Sequence, residues 1–362
     1  MLLDFMPLYI RCGMSFSSNY FHHAIGSTYD EQTMKDPILR FEMEKKQEIY
    51  IREKYPTFFY IDEASDVENK YQARGRLGIG VATIPKSCGC EVTYRDHMNP
   101  LAKPLISRGE SPLSLKMPDL DDGLCWLYEE IDKFEETGFK KGSLSLPDLQ
   151  GPLNVSMKLM GDDRMLALIA RKNKEKEVEH VLDIATRVYI EVNKRLRKAT
   201  NRPLKSNWSV SGCTYYYLSP KKWQIYILPV IERCRSELGD GVRLHHCGKA
   251  DGNKIKSYAQ LKWNDCEFGF GSDLKLARKT FDYPDLGPIN ISCRVSPFRM
   301  LNQPAAQIRE DINWIIENAK GGPMRINCVG VPHGTPEENL WAMWDAVQDY
   351  NKKKAEEEDE DY

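Results

Sequence analysis

The sequence predicts an α/β protein in which parallel strands alternate with helices. Two stretches show the strand pattern most clearly: Val242 and Leu244 are apolar at alternate positions, and Met324 and Ile326 repeat this further along the chain. Each strand of the second half leads through a loop into a helical pattern, as in parallel βαβ units. About 300 residues in such units are enough for a single (β/α)8 barrel of the TIM type, and we expect that fold.

The individual elements follow from apolar spacing and from residues typical of helix ends. Ser219 and Pro220 have the residue types of a helix cap and first turn. Thr335 and Glu338 have the spacing of a capping box, with Pro336 between them. On this basis we expect helices over residues 30–55, 124–137, 163–200, 219–238, 253–263, 274–281, 305–320 and from 335 onward, and strands near 144–146, 208–210, 241–245, 288–292 and 324–328.

The domain organisation is expected to be simple. Residues 1–351 would form one barrel domain with elaborations before it, and residues 352–362 are charged, lack apolar anchors and are predicted to be disordered. The formal net charge of −2 and the lack of a basic stripe argue against nucleic-acid binding. No apolar run approaches the roughly 20 residues of a membrane span. Ten irregularly spaced cysteines without a secretory signal indicate a cytoplasmic protein with reduced thiols.

The most informative stretch is the end of the strand that contains Leu244. His245 and Cys247 follow it at once, and Cys328 follows Ile326 in the same way. The carboxyl ends of parallel strands meet at one edge of a sheet, so these three side chains could converge there. One imidazole and two thiolates leave a fourth position open, as in catalytic zinc sites. A core thiol at Cys328 with a hydrogen-bonded histidine pair is the alternative.

Four further residues are candidates for contact with substrate. Asp273 follows another predicted strand and either orients substrate or caps the next helix. Cys213 and Tyr215 lie in a loop before Ser219 and either line a pocket or pack against the rim of the barrel. His333 is a candidate acid or base in the loop that follows the last strand.

Several short motifs together resemble the uroporphyrinogen decarboxylase superfamily, in which the fold is a distorted (β/α)8 barrel. They occur in the order of the family between about residues 7 and 347. Each motif alone is weak, and their combination is specific. The motifs are Gly151-Pro152, Leu218-Ser-Pro220, Leu228-Pro229, His246-Cys-Gly248 and Gly334-Thr-Pro-Glu-Glu-Asn-Leu340.

Within that superfamily the chain resembles the branch of corrinoid-linked zinc methyltransferases. Their zinc motif is His-x-Cys followed far downstream by Cys, and it maps onto His245, Cys247 and Cys328, with His246 at the variable position. This resemblance implies Zn²⁺ as cofactor and methylcobalamin or another corrinoid as co-substrate. It also implies a corrinoid protein as partner, and a small thiol, methoxy compound or methylamine as methyl donor or acceptor.

Two other functions remain as alternatives. The decarboxylases of the superfamily bind porphyrin propionates through an N-terminal motif with two arginines, whereas the nearest stretch here, Arg11-Cys-Gly-Met-Ser15, keeps one. A uroporphyrinogen-type decarboxylase is therefore the second enzyme candidate. A non-catalytic corrinoid-binding component is the third possibility.

Overall fold

The structure is a computed structural model that describes residues 9–58 and 74–360. Helices and strands alternate most regularly after residue 240. The β-strands are β1 Ile10–Phe16, β2 Val92–Arg95, β3 Met98–Ala102, β4 Trp208–Ser211, β5 Val242–His246, β6 Asp265–Gly269, β7 Asp282–Tyr283, β8 Gly287–Pro288, β9 Asn290–Val295 and β10 Met324–Val331. The α-helices are α1 Ser18–Ile25, α2 Glu31–Lys35, α3 Pro37–Lys54, α4 Thr83–Ser87, α5 Leu120–Gly123, α6 Cys125–Glu136, α7 Pro152–Met160, α8 Asp162–Ala170, α9 Glu175–Ala199, α10 Pro220–Lys222, α11 Leu228–Leu238, α12 Gly252–Tyr258, α13 Leu274–Thr280, α14 Pro297–Asn302, α15 Ala305–Ala319 and α16 Glu337–Glu360.

These elements group into two compact units. The sheet unit consists of the described residues within 1–24 and 243–362, and the helical unit consists of those within 25–242. The α/β class is confirmed by the parallel strands and helices of the sheet unit. Closure into one eight-stranded barrel over residues 1–351 stays a prediction.

Parallel strands of the sheet unit run in the order β1–β10–β9–β6–β5. Helix α12 lies between β5 and β6 in the chain, and α15 lies between β9 and β10. Strands that follow one another in these βαβ units are therefore neighbours in space, as short crossover connections favour. Strand β1, from the N-terminal part of the sequence, pairs in parallel with β10, from the C-terminal part.

The two faces of this sheet differ in chemistry because side chains alternate along each strand. One face carries Leu244, Cys266, Ile291 and Ile326, and all four are fully buried. Helices α14 and α15 pack against β9 and β10, so this apolar face forms the core of the unit. The opposite face carries the charged and polar residues of the same strands.

A buried arginine joins the elements that precede β10. The Arg278 guanidinium of α13 donates hydrogen bonds to the carbonyls of Ala319, Ile289 and Pro323, at 2.9, 2.7 and 2.9 Å. These carbonyls belong to the end of α15 and to the chain just before β9 and β10. Burial lowers the pKa of Arg278, and the three carbonyls replace the water that the cation loses. The contact therefore joins the end of α15 to the segments that lead into β9 and β10.

In the helical unit, α9 is the longest helix, and α7, α8 and α11 pack around it. Its apolar stripe, which includes Val181, Leu182 and Val188, is buried as its spacing predicts. A buried ion pair joins α3 to α6: Arg40 Nη2 lies 2.9 Å from Glu130 Oε2. The same carboxylate oxygen accepts the backbone N–H of Gly78 at 2.8 Å.

The helix predicted over residues 219–238 begins as expected but is not continuous. Ser219 caps it, since its Oγ accepts the Lys222 N–H at 3.3 Å. A π-helical turn, Trp223–Ile227, then precedes α11. Pro229 explains the irregularity, because proline has no N–H to donate and its ring interferes with regular α-helical hydrogen bonding.

Two other predictions differ from the structure. Residues 144–146 form a single β-bridge, Arg76 with Ser145, and no regular strand. The disorder predicted for residues 352–362 is wrong through Glu360, because α16 continues to that residue, and residues 361–362 lie outside the described part. The tail consists of good helix formers with Lys–Glu pairs such as Lys354–Glu357. Because it extends an existing helix, no new helical turn has to be nucleated.

We expect Arg278→Met to lower the free energy of unfolding by roughly 2–4 kcal/mol, because three buried carbonyls lose a charged donor. Urea unfolding followed by circular dichroism measures the change. Lys275→Met is the control, since Lys275 is an exposed residue of the same helix. Equal stability of the two variants would contradict this role for Arg278.

Candidate functional site

The end of β5 separates the two adjacent histidines onto opposite faces of the sheet. His246 belongs to the apolar face and is fully buried, with its Nδ1 3.1 Å from the Tyr258 hydroxyl. Burial lowers the pKa of His246 to about 4, so the neutral ring is a core residue. His245 lies on the polar face and is partly exposed. The strand thus leaves His245 available for chemistry.

His245 is held between a carboxylate and a thiol. Its Nδ1 lies 2.9 Å from Glu267 Oε2, and its Nε2 lies 2.8 Å from Cys247 Sγ. Register explains the first contact, because His245 of β5 pairs directly with Glu267 of β6 and in-register side chains share a face. Burial alone would lower the pKa of His245, but the contacts with Cys247 and Glu267 raise it to about 9.

Glu267 is a buried carboxylate that is surrounded by positive groups. Burial disfavours its charged form, yet the hydrogen bond from His245 and the charges of Arg294 and Arg243 leave its pKa below the ordinary value. Arg294 Nε forms an ion pair with Oε1 of the carboxylate. Arg243 Nη2 is 3.4 Å from Oε2, and its Nε is 3.0 Å from Asp265. Glu267 therefore stays ionised and orients the imidazole.

Arg294 of β9 also reaches the thiol and the imidazole. Its Nη1 lies 3.5 Å from Cys247 Sγ and 3.4 Å from His245 Nε2. Arg294 pairs in register with Gly269 of β6 and Asn327 of β10, so it projects from the polar face. The site combines an imidazole, a thiol, a carboxylate and a guanidinium from three neighbouring strands.

The backbone after β5 is held close to β6. Gly269 N–H donates to the Gly248 carbonyl at 2.9 Å. A Cβ atom at position 269 would lie 2.4 Å from the Cys247 carbonyl oxygen and 2.8 Å from atoms of Gly248. Real Cβ atoms do not approach backbone this closely, so the absence of a side chain at Gly269 lets Cys247 occupy its place.

Cys328 does not lie with His245 and Cys247. It pairs in register with Val295 and Met14, on the apolar face of the sheet, whereas Asn327 shares the polar face with Arg294. Within the described part of the chain, no group of three ligand atoms mutually within 4.8 Å contains this thiol. Burial raises the pKa of Cys328 to about 12, although the charge of Arg294 opposes the rise. The thiol is a buried residue of the strand, and its role as a metal ligand stays a prediction.

Residues 76–350 match the family model described as Uroporphyrinogen decarboxylase (URO-D). The chain belongs to the uroporphyrinogen decarboxylase family. A solved structure described as a methyltransferase from Methanosarcina mazei aligns with 94% of this chain and 94% of its own, at 16% identity and a TM-score of 0.62. That likeness shows a shared fold. No curated protein matches the chain.

Two further candidate residues of this uroporphyrinogen decarboxylase family member, Asp273 and His333, lie in loops of the sheet unit. Asp273 caps α13, since its Oδ1 accepts the Leu276 N–H at 3.1 Å. The imidazole of His333 is exposed, and its centre lies 4.5 Å from that of His23 in α1. Neither observation tests a contact with substrate.

Cys213 and Tyr215 belong to the helical unit, after β4. Cys213 is half-buried, and Tyr215 begins the 3-10 helix Tyr215–Tyr217. Tyr215 is 1% exposed, and a Cβ atom at Gly212 would lie 2.2 Å from its ring. The ring therefore packs closely over the Gly212 backbone, and the roles predicted for these two residues stay predictions.

Glu267 and Arg294 were not among the residues that the sequence suggested. The sequence did contain a signal, because each is a charged residue between two apolar residues of a strand, in Cys266-Glu-Phe268 and Cys293-Arg-Val295. Burying a charged side chain at such a position is unfavourable unless it is paired, so an oppositely charged partner is expected on a neighbouring strand. Which strand supplies that partner depends on sheet order and register.

Within residues 9–58 and 74–360, none of the helices combines the length and the apolar character that crossing a bilayer requires.

We expect Gly269→Ala to lower the free energy of unfolding by about 1–3 kcal/mol, because the added methyl group would overlap the backbone of Cys247 and Gly248. Urea unfolding measures the effect. Gly142→Ala is the control, since a Cβ there meets open space without a positive φ. If both variants were equally stable, the close approach of these two strand ends would be refuted.

Proposed function

We propose that this chain is a zinc-dependent methyltransferase. It would move a methyl group between a corrinoid, such as methylcobalamin carried by a partner corrinoid protein, and a small thiol, methoxy or methylamine substrate. Its membership of the uroporphyrinogen decarboxylase family supports the proposal, as does the shared fold with a protein named as a methyltransferase. The observation that carries the proposal is the pairing of the His245 imidazole with the Cys247 thiol, 2.8 Å apart.

The donor atoms of this pair suit a zinc ion. Zinc in proteins binds histidine nitrogen and cysteine sulfur, and a ligating histidine usually gives its other ring N–H to a carboxylate. His245 has that arrangement: Nδ1 faces Glu267, and Nε2 faces Cys247. In the neutral ring, which zinc binding requires, the carboxylate favours the tautomer with the proton on Nδ1, so that Nε2 is the nitrogen that would bind the ion. His245 and Cys247 are therefore the residues that would hold the ion.

A zinc site of this type takes a third protein ligand. The family resemblance assigns it to Cys328, and that assignment stays a prediction, because its thiol is buried on the apolar face of β10. A bound zinc ion would supply Lewis acidity, which favours the thiolate form of a coordinated thiol at neutral pH. Glu267 orients the imidazole, and Arg294 contacts both donor atoms and Glu267.

We expect the purified protein to hold about one zinc ion per chain, and we expect His245→Ala and Cys247→Ser each to lose it. Elemental analysis measures the metal. The change in cobalamin absorbance measures transfer from methylcobalamin to coenzyme M or homocysteine. Cys293→Ser is the control, since Cys293 is a buried cysteine on the apolar face. Metal-free protein that decarboxylates uroporphyrinogen would contradict the proposal and favour the decarboxylase.

Cys328→Ser tests the third ligand separately. If Cys328 binds the ion, zinc is lost as in Cys247→Ser. Zinc retained as in Cys293→Ser would exclude Cys328 from the ligand set and leave the methyltransferase proposal intact. A protein that holds zinc but transfers no methyl group to any of these acceptors would favour the non-catalytic corrinoid-binding component.

We further expect Glu267→Gln to weaken zinc affinity by roughly 10- to 100-fold, because a neutral amide no longer anchors the imidazole as a carboxylate does. Competition with a chromophoric chelator measures the dissociation constant. Glu310→Gln, at an exposed position of α15, is the control. Unchanged affinity in the Glu267 variant would show that this carboxylate does not support the ligand.

A further inference from the structure

Arg294 is a charged residue at the site, and the zinc proposal assigns it no chemical role. Its guanidinium has contacts on two sides. Nε faces the Glu267 carboxylate, and Nη1 faces the sulfur of Cys247 and Nε2 of His245. The ion pair with a buried carboxylate holds the guanidinium at the site, where Nη1 lies beside the sulfur and the imidazole.

The contact with sulfur has a chemical consequence that a purely structural arginine would not have. A guanidinium cannot lose its proton in a protein, so Nη1 is a permanent donor toward the sulfur. The Nη1–Sγ distance of 3.5 Å is within hydrogen-bonding range for sulfur. A hydrogen bond to a thiolate stabilises its negative charge and thereby reduces the electron density that the sulfur can donate to a metal.

We propose that Arg294 is a positioning residue that tunes the sulfur of Cys247 as a metal ligand through an N–H···S hydrogen bond. This inference rests on the proposed function, because it concerns the same donor pair. With a weaker sulfur donor, the metal keeps more positive charge. Such a metal would bind an incoming substrate sulfur, oxygen or nitrogen more strongly and would leave a bound thiolate less nucleophilic. Arg294 would thus set the balance between substrate binding and reactivity.

The chain offers a matched control for this role. Arg243 also contacts Glu267, at 3.4 Å, and it pairs with Asp265 at 3.0 Å. The contacts of Arg243 in the sheet unit include no bond to the Cys247 sulfur. Arg243→Met therefore removes one positive partner of Glu267, whereas Arg294→Met removes such a partner and also the donor to sulfur.

The test uses Co²⁺ as a spectroscopic substitute for zinc in the full chain. Thiolate-to-cobalt charge-transfer bands in the near ultraviolet move to lower energy when the sulfur becomes a better electron donor. We expect a red shift of this band in Arg294→Met and a band in Arg243→Met that matches the unsubstituted protein. Arg294→Gln keeps an N–H donor without the charge, and we expect it to give a smaller shift.

The outcomes separate this inference from the proposed function. If the unsubstituted protein gives a thiolate–cobalt band and both Arg294 variants leave it in place, the tuning role is overturned and the metal site stands. Equal shifts in Arg294→Met and Arg243→Met would also overturn it, because they would trace the effect to Glu267. If the unsubstituted protein gives no such band, the metal site itself fails, and the tuning role fails with it. Circular dichroism verifies folding, and Arg294→Gln alone decides the question if Arg294→Met does not fold.

Discussion

The hydrogen bond between His245 and Glu267 is the contact on which the candidate site depends. It joins neighbouring strands at a directly paired position, so its geometry follows from the backbone ladder and not from a flexible loop. In the neutral ring it also favours one tautomer, because a carboxylate beside Nδ1 holds the proton there and Nε2 faces Cys247. The orientation of the ring, and with it the chemistry available to Cys247, follows from one ionised carboxylate.

That carboxylate is costly to bury, and the neighbouring charges explain why the cost is tolerated. An unpaired ion in a protein interior would be neutralised or would destabilise the fold. Glu267 has Arg294, Arg243 and His245 around it, and its pKa lies below the ordinary value despite burial. The cluster is therefore a unit whose members depend on one another. A substitution of one member changes the electrostatic surroundings of the others, so matched pairs of variants are needed to separate their roles.

Much of the fold could be predicted from the sequence, because the relevant signals are local. Apolar spacing located α9 and β10, and Ser219 marked a helix start. The signals for the site are of two kinds. His245 and Cys247 are two residues apart, so one strand end is enough to bring them together. Glu267 and Arg294 join them only through strand order and register, which are set by interactions between segments far apart in the chain.

The same argument explains the position of Cys328. Its sequence context resembles that of Cys247, since both come after apolar residues at alternate positions. However, Cys247 is the first residue after β5, whereas Cys328 lies within β10, which continues to Val331. Successive side chains of a strand point to opposite faces, so the face that a residue occupies is set by its position in the strand. The sequence pattern shows the alternation but not where the strand ends.

The surroundings of the two sulfurs also rank them as metal ligands. A metal binds the thiolate, and a thiolate needs either water or positive charge nearby. Cys247 is half-buried, with the Arg294 guanidinium and the His245 ring beside it. Cys328 is fully buried, and burial raises its pKa, although the charge of Arg294 acts in the opposite direction. The surroundings of Cys247 therefore fit the ligand role proposed for it beside His245, and the role of Cys328 stays a prediction.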